Sequence, residues 1–202
     1  METVLLGAAN SIRAALPHLE ASAGAVISLG STAAHLPIPG LAAYTAAKHG
    51  LVGLLDSLRI ELREAGSSIT ISLVNPGPVD TPLWGHLESQ TGLLPPVPPD
   101  RYSPWPIAAA VVSVFRRPRE ETTVGGSAYL QVCLFAALRG PTSKAMTVLG
   151  RLAQSAEDEP SSGGALHEGG GTGAVEGGYG GRGSLAVRGI GAIDRVARRL
   201  GR

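Results

Sequence analysis

"GAVISLGSTAAHLPIPGLAAYTAAKHGLVGLLDSLRIELREAGSSITISLVNPG", residues 24–77, holds two apolar runs on either side of one long helical pattern. The first run, GAVISLG, is short, carries β-branched residues and has glycine at both ends. The second, SITISLVNPG, is nearly continuous in apolar residues. Runs of this kind suit buried strands of a parallel sheet. Between them, Pro37 and Pro39 make residues 31–40 a loop. A helix carrying Tyr44 and Lys48 then runs to about Ala65 and stops at Gly66.

The pattern extends outward in both directions. Leu5, Leu6, Ala9, Ile12, Leu16 and Leu19 recur at helical spacing, so residues 1–21 read as a helix that Pro17 should bend or end. Residues 78–100 are rich in proline and poor in periodicity, and a loop of that length is usually functional or mobile. Ser103 is a candidate N-cap for a helix over residues 103–117, with prolines in its first turn. Residues 121–126, ETTVGG, read as a third strand, and residues 127–140 as a last apolar helix. Alternation of helix and strand predicts an α/β fold: a partial doubly wound, Rossmann-like parallel sheet with flanking helices. Residues 1–150 form that domain. Residues 151–189 are mostly Gly, Ser and acid, too polar to bury a core, and are expected to be a disordered tail. Residues 190–202 have the pattern of a short basic amphipathic helix.

Composition narrows the function classes. Of 202 residues, 44% are apolar and only 4% aromatic, so the core must be aliphatic. Lys plus Arg number 17 against 16 Asp plus Glu, a balance that favours neither nucleic acid nor an anionic membrane as partner. The longest apolar runs, residues 107–115 and 132–138, fall short of the roughly 20 residues of a membrane span. Cys133 is the only cysteine, which forbids an intrachain disulfide and points to a reduced, cytoplasmic setting. The five histidines show no ligand spacing with one another or with Cys133, so no metal site is expected.

Chemistry gathers at one rim of the expected sheet. Tyr44 and Lys48 are four residues apart and share a helix face. A cation beside a phenol favours the phenolate, which suits a phenol to proton exchange. The bland alternative is a surface pair on a helix. Against it, Ala42, Ala43, Ala46 and Ala47 leave room for a ligand to approach. Ser31 follows the first strand, and Asn75-Pro76-Gly77 ends the second, so both should reach the carboxyl edge where ligands bind in such sheets. Trp84 and Trp105 flank the long loop and either anchor it to the core, or the loop is a substrate lid with Trp84 and Leu83 as its apolar wall. Asp56, Arg59, Glu61 and Arg63 read as a solvated helix face.

Taken in order, Ser31, the Tyr44-x-x-x-Lys48 motif thirteen residues on, and the segment Pro76-Gly77-Pro78-Val79-Asp80-Thr81 resemble the short-chain dehydrogenase/reductase family. The resemblance covers roughly residues 1–140. It implies an oxidoreductase that moves a hydride between NAD or NADP and a small alcohol or ketone. Tyr44 would exchange a proton with the substrate oxygen, Ser31 would hydrogen-bond that oxygen, and Lys48 would hold the nicotinamide ribose. Pro76, Gly77, Val79 and Thr81 would hold the nicotinamide end, Val79 through its backbone. The hydride belongs to the cofactor. The first helix and the Tyr44 helix would build a homo-oligomer interface.

The chain also departs from the family pattern. The family begins with a glycine-rich TGxxxGxG turn, which residues 1–21 do not carry. Val4 stands where the family has an asparagine that holds the lysine through water. Residues 177–183, GGYGGRG, match a glycine-rich turn formally, but no strand precedes them, and glycine-rich sequence matches such patterns by chance. The expectation is therefore the carboxyl two-thirds of a dehydrogenase, with residues 25–29 as an apolar sheet edge open to aggregation. The competing expectation is a non-catalytic fragment that binds no cofactor by itself and at most dimerises.

Overall fold

The computed structural model describes residues 1–86, 98, 100–154 and 173–180. Three parallel strands form one sheet: β1 (Ala25–Leu29), β2 (Thr70–Pro76) and β3 (Glu121–Val124), in the order β1-β2-β3. Val26 lies opposite Ile71, and Asn75 opposite Thr123. The strands are short and uniformly aliphatic at the centre, as a sheet covered on both faces requires. The expected α/β fold is the observed one.

Side chains of β2 alternate between two cores. Ile71 and Leu73 face α1 (Gly7–Ser22) and α2 (Ala42–Glu64), packing with Ile12, Leu51, Leu55 and Ile69. Val74 faces the other way, toward α3 (Pro104–Arg116), with Tyr102, Ile107, Val114 and Val124. On α2 the residues Ala47, Leu51 and Leu55 are buried at spacings of four, one stripe along the helix. Among the described strands β1 pairs on one side only, and Leu29 at its end is 55% exposed.

Four features differ from the sequence reading. A π-helical turn at Glu2–Leu6 precedes α1, and of the two outcomes expected at Pro17 the helix does not end there but runs on to Ser22. Pro17 and Arg13, whose carbonyl loses its helical partner, both lie exposed, where water can satisfy it. The expected last apolar helix is α4 (Gly126–Ala137), but it is not the last: α5 (Arg139–Gln154) follows at once. Pro141 falls in the first turn of α5, where a missing N–H costs nothing.

Arg59 is not part of a solvated face. Its Nε donates to the Ile71 carbonyl at 3.0 Å and its Nη2 to the Glu120 carbonyl at 2.5 Å, tying the feet of β2 and β3 to α2. Asp56 accepts from the same guanidinium. Within the glycine-rich stretch, residues 173–180 form turns packed against the domain. Glycines 173, 178 and 180 take the positive φ that other residues avoid. The helix expected at 190–202 and most of the loop at 78–100 lie outside the described residues. Among the described residues, no helix is long and apolar enough to cross a membrane.

Leu55 is fully buried, whereas Ile60 on the same helix is 54% exposed. Leu55→Ala should cost about 2–5 kcal/mol of stability in urea unfolding. Ile60→Ala should stay within roughly 0.5 kcal/mol of the parent, as surface substitutions do.

Candidate active site

The carboxyl end of β1 runs into a polar corner. Gly30 donates its N–H to the Val74 carbonyl at 2.8 Å, extending the parallel ladder by one residue. Ser31 then turns away in extended backbone and caps a 3₁₀ turn, Thr32–Ala34, its Oγ accepting from the Ala33 N–H at 3.1 Å. Its own N–H donates to Asn75 Oδ1 at 3.0 Å. Asn75 is fully buried, and its amide oxygen sits where a side chain on Gly30 would be: a Cβ there would stand 1.8 Å from Oδ1. Glycine at position 30 is what lets the amide reach Ser31.

Tyr44 and Lys48 rise beside this corner on the first turns of α2. Both are half-buried. Lys48 Nζ lies 5.7 Å from the centre of the Tyr44 ring and donates to the Leu29 carbonyl at 2.8 Å. That carbonyl is two residues from Ser31. The structure thus brings all three sequence-predicted groups to the carboxyl end of β1. Burial pushes the Lys48 ammonium below the usual lysine range, because a partly desolvated cation is disfavoured. Val4 lies half-buried in the π-helical turn and carries no hydrogen-bonding side chain.

Residues 76–81 leave β2 as a tight turn. Gly77 donates to the Val124 carbonyl at 3.0 Å, Asp80 to the Tyr102 carbonyl at 2.8 Å, and Thr81 to the Val79 carbonyl at 3.0 Å. Trp84 Nε1 donates to the same Val79 carbonyl at 2.7 Å, so of the two readings of Trp84 the anchoring one has a visible contact. Leu83 is 58% exposed. Residues 173–180 close over this turn. Tyr179 donates its N–H to Asp80 Oδ1 at 3.1 Å, Arg101 Nε donates to the Tyr179 carbonyl at 2.6 Å, and Trp105 Nε1 donates to Glu176 at 3.0 Å.

Sequence reasoning missed one cluster. His35 Nε2 meets Glu121 Oε1 at 2.5 Å, and Asn75 Nδ2 donates to the same oxygen. The three residues come from the loop after β1, the start of β3 and the end of β2. No local spacing announces them. The only signal was a histidine inside an otherwise apolar loop and a glutamate opening a strand. The hydrogen bond to Glu121 raises the His35 pKa above its usual value, outweighing burial, and Asp56 adds to the rise. The hydrogen bond from His35 in turn holds Glu121 below the usual carboxylate range, with Asn75 and Arg59 helping. Among the described residues, no group of three His, Cys, Asp or Glu is placed to hold a metal.

Residues 1–92 match the family model described as short chain dehydrogenase. The chain is 35% identical over 83 residues to 11-beta-hydroxysteroid dehydrogenase 1A of Arabidopsis thaliana, covering 41% of this chain and 23% of the plant protein. It is 34% identical over 111 residues to a putative short-chain type dehydrogenase/reductase of Mycolicibacterium smegmatis, covering 54% of this chain and 38% of that one. Among solved structures it is similar to a short chain dehydrogenase from Burkholderia cenocepacia in complex with NADP. There the TM-score is 0.60 at 26% identity, over 72% of this chain and 56% of that one. The chain therefore spans well under half the length of these curated relatives and about half of the solved one.

Gly30→Ala tests the corner beneath Ser31. The added methyl collides with the Asn75 amide, and the variant should lose roughly 1–3 kcal/mol in urea unfolding, as overpacked sites do. Gly53→Ala on α2 is the control. A Cβ there meets nothing within 4 Å, so it should gain up to about 1 kcal/mol from helix propensity.

Proposed function

We propose that this chain carries the acid–base half of an NAD- or NADP-dependent oxidoreductase acting on a small alcohol or ketone. One observation carries the reading: Lys48 Nζ is fixed to the Leu29 carbonyl at 2.8 Å, next to the Tyr44 ring and two residues from Ser31. A phenol, an ammonium and a hydroxyl at the carboxyl end of a strand are the donor set that a carbonyl oxygen and a ribose require. The match of residues 1–92 to the short chain dehydrogenase model supports the same reading.

A nicotinamide supplies or accepts the hydride at the substrate carbon. Every other part falls to the chain. In reduction, the Tyr44 phenol gives its proton to the oxygen that becomes the alcohol, and in oxidation it takes that proton back. Ser31 hydrogen-bonds the same oxygen and fixes its distance from Tyr44. Lys48 keeps positive charge beside the phenolate that reduction leaves behind and binds ribose hydroxyls. Pro76, Gly77, Val79 and Thr81 would hold the nicotinamide end. We also propose pairing with a second copy through α1 and α2, where Leu6 and Ile60 present exposed apolar side chains. The free thiol of Cys133 favours a cytoplasmic setting.

A second reading has its own support: these 202 residues hold no cofactor unaided and at most dimerise. The pairing of β1 on one side only among the described strands favours it, as does the 56% of the NADP-bound relative that the match covers. Calorimetric titration with NADH and NADPH separates the two. Micromolar binding rejects the second reading, and silence at millimolar dinucleotide rejects unaided catalysis by this chain. Where turnover of a ketone with reduced dinucleotide is measurable, Tyr44→Phe should cut kcat by about 10²–10⁴, the share that a positioned general acid supplies. Its circular dichroism should match the parent. Retained turnover in Tyr44→Phe would sink the assignment.

A further inference from the structure

We propose that His35, Glu121 and Asn75 form a titratable relay that sets the position of Ser31, with His35 and Glu121 as positioning residues. Its catalytic meaning rests on the function proposed above, whereas its geometry does not.

The relay runs through three hydrogen bonds. Asn75 Oδ1 accepts the Ser31 N–H at 3.0 Å. Asn75 Nδ2 donates to Glu121 Oε1, which His35 Nε2 also reaches, at 2.5 Å. One carboxylate oxygen thus gathers two donors, and a single buried amide links it to the backbone of Ser31. The amide has no freedom to turn over. Reversing the amide would set an NH₂ against the Ser31 N–H and an oxygen against the Glu121 carboxylate. A buried amide also cannot abandon a partner cheaply, since an unsatisfied polar group costs about 1–3 kcal/mol. Whatever moves the Glu121 carboxylate must therefore move Asn75, and Ser31 with it.

Proton binding moves that carboxylate. With His35 charged and Glu121 ionised, the pair is short and charge-assisted. Above the His35 pKa the imidazole is neutral, and its bond to the carboxylate loses the charge assistance even where Nε2 keeps its proton. Below the Glu121 pKa the carboxylate is neutral, and it can present an O–H to Asn75 in place of an acceptor. The charged groups bearing on the pair are Asp56 and Arg59 of α2: Asp56 favours the imidazolium and Arg59 the carboxylate. The intact relay occupies the window between a lowered Glu121 and a raised His35. His35 contributes stability that is full below its unfolded pKa and lost as pH rises through its folded one. Glu121 contributes stability that is full above its unfolded pKa and lost as pH falls through its folded one.

The experiment is a pH titration of the ¹⁵N-labelled 202-residue chain by NMR, following the Ser31 amide and the His35 ring. The expected result is one shared midpoint for both signals, above 6.5 for the imidazole. Glu121→Gln should lower the His35 midpoint toward the unperturbed value and flatten the Ser31 response. Asn75→Ala, if it folds, should leave His35 titrating normally while Ser31 stops responding. A Ser31 amide that stays flat through the His35 titration overturns the relay, and so does an equal response in Glu121→Gln. A kinetic arm separates this from the proposed function. If the chain reduces a ketone, kcat should fall with the His35 midpoint while KM stays constant, and Glu121→Gln should abolish that limb. A relay seen by NMR in a chain that binds no dinucleotide rejects unaided catalysis and leaves the relay standing.

Discussion

Parallel pairing of β1 with β2 forces the chain to cross back over the sheet between them, and α2 is that crossing. Much else follows from this connection. The loop leaving β1 must climb to the start of α2, which sets Ser31, Tyr44 and Lys48 around the same strand end. The stripe Ala47, Leu51 and Leu55 must face the sheet, which turns Lys48 toward the rim. Leu29 ends β1 with a carbonyl that finds the Lys48 ammonium instead of a further strand residue. Fold and candidate chemistry are here one constraint.

The same logic explains which parts of the molecule were legible in the amino-acid sequence. β1, β2 and α2 were readable because their signals are local: apolar runs bounded by glycine, and a long helical period. Ser31, Tyr44 and Lys48 were readable because their spacing follows from those elements. The helix after α4, α5, was not read, since its residues carry a weaker apolar pattern than those of α4 and begin at the Gly140-Pro141 breaker. Arg59 was misread for a related reason. Its charge suggests solvent, yet its long stem reaches two main-chain carbonyls at the foot of the sheet. The link from His35 to Glu121 spans 86 positions, and no period or motif encodes a contact at that range.

Polar groups do more than decorate this sheet. A buried amide is costly unless satisfied, so Asn75 at the end of the central strand demands partners from two other segments. It takes the Ser31 N–H from the loop after β1 and the Glu121 carboxylate from β3, with His35 closing the group. At the opposite end, Arg59 makes the equivalent connection between α2, β2 and the approach to β3. Apolar packing alone would allow the three strands to slide in register. These two polar anchors, one at each end of β2, oppose that slide, because any shift would strand a buried donor or acceptor.

The turn after β2 shows how far such ordering extends toward the candidate site. The N–H groups of Gly77, Asp80 and Thr81 are committed to protein carbonyls, and the Val79 carbonyl already takes two donors. Asp80 is buried and holds the Tyr179 N–H, while Gly177 lies against the Thr81 carbonyl so closely that a Cβ there would stand 2.5 Å away. The turn is therefore braced from within by β3 and Tyr102 and from outside by residues 173–180. A ligand reaching it would meet a surface whose shape is set in advance, which lowers the ordering cost of binding. It would also have to share the Asp80–Thr81 end with the glycine-rich segment packed there, and with Gly77 buried it would meet the half-buried Pro76, Pro78, Val79 and Thr81.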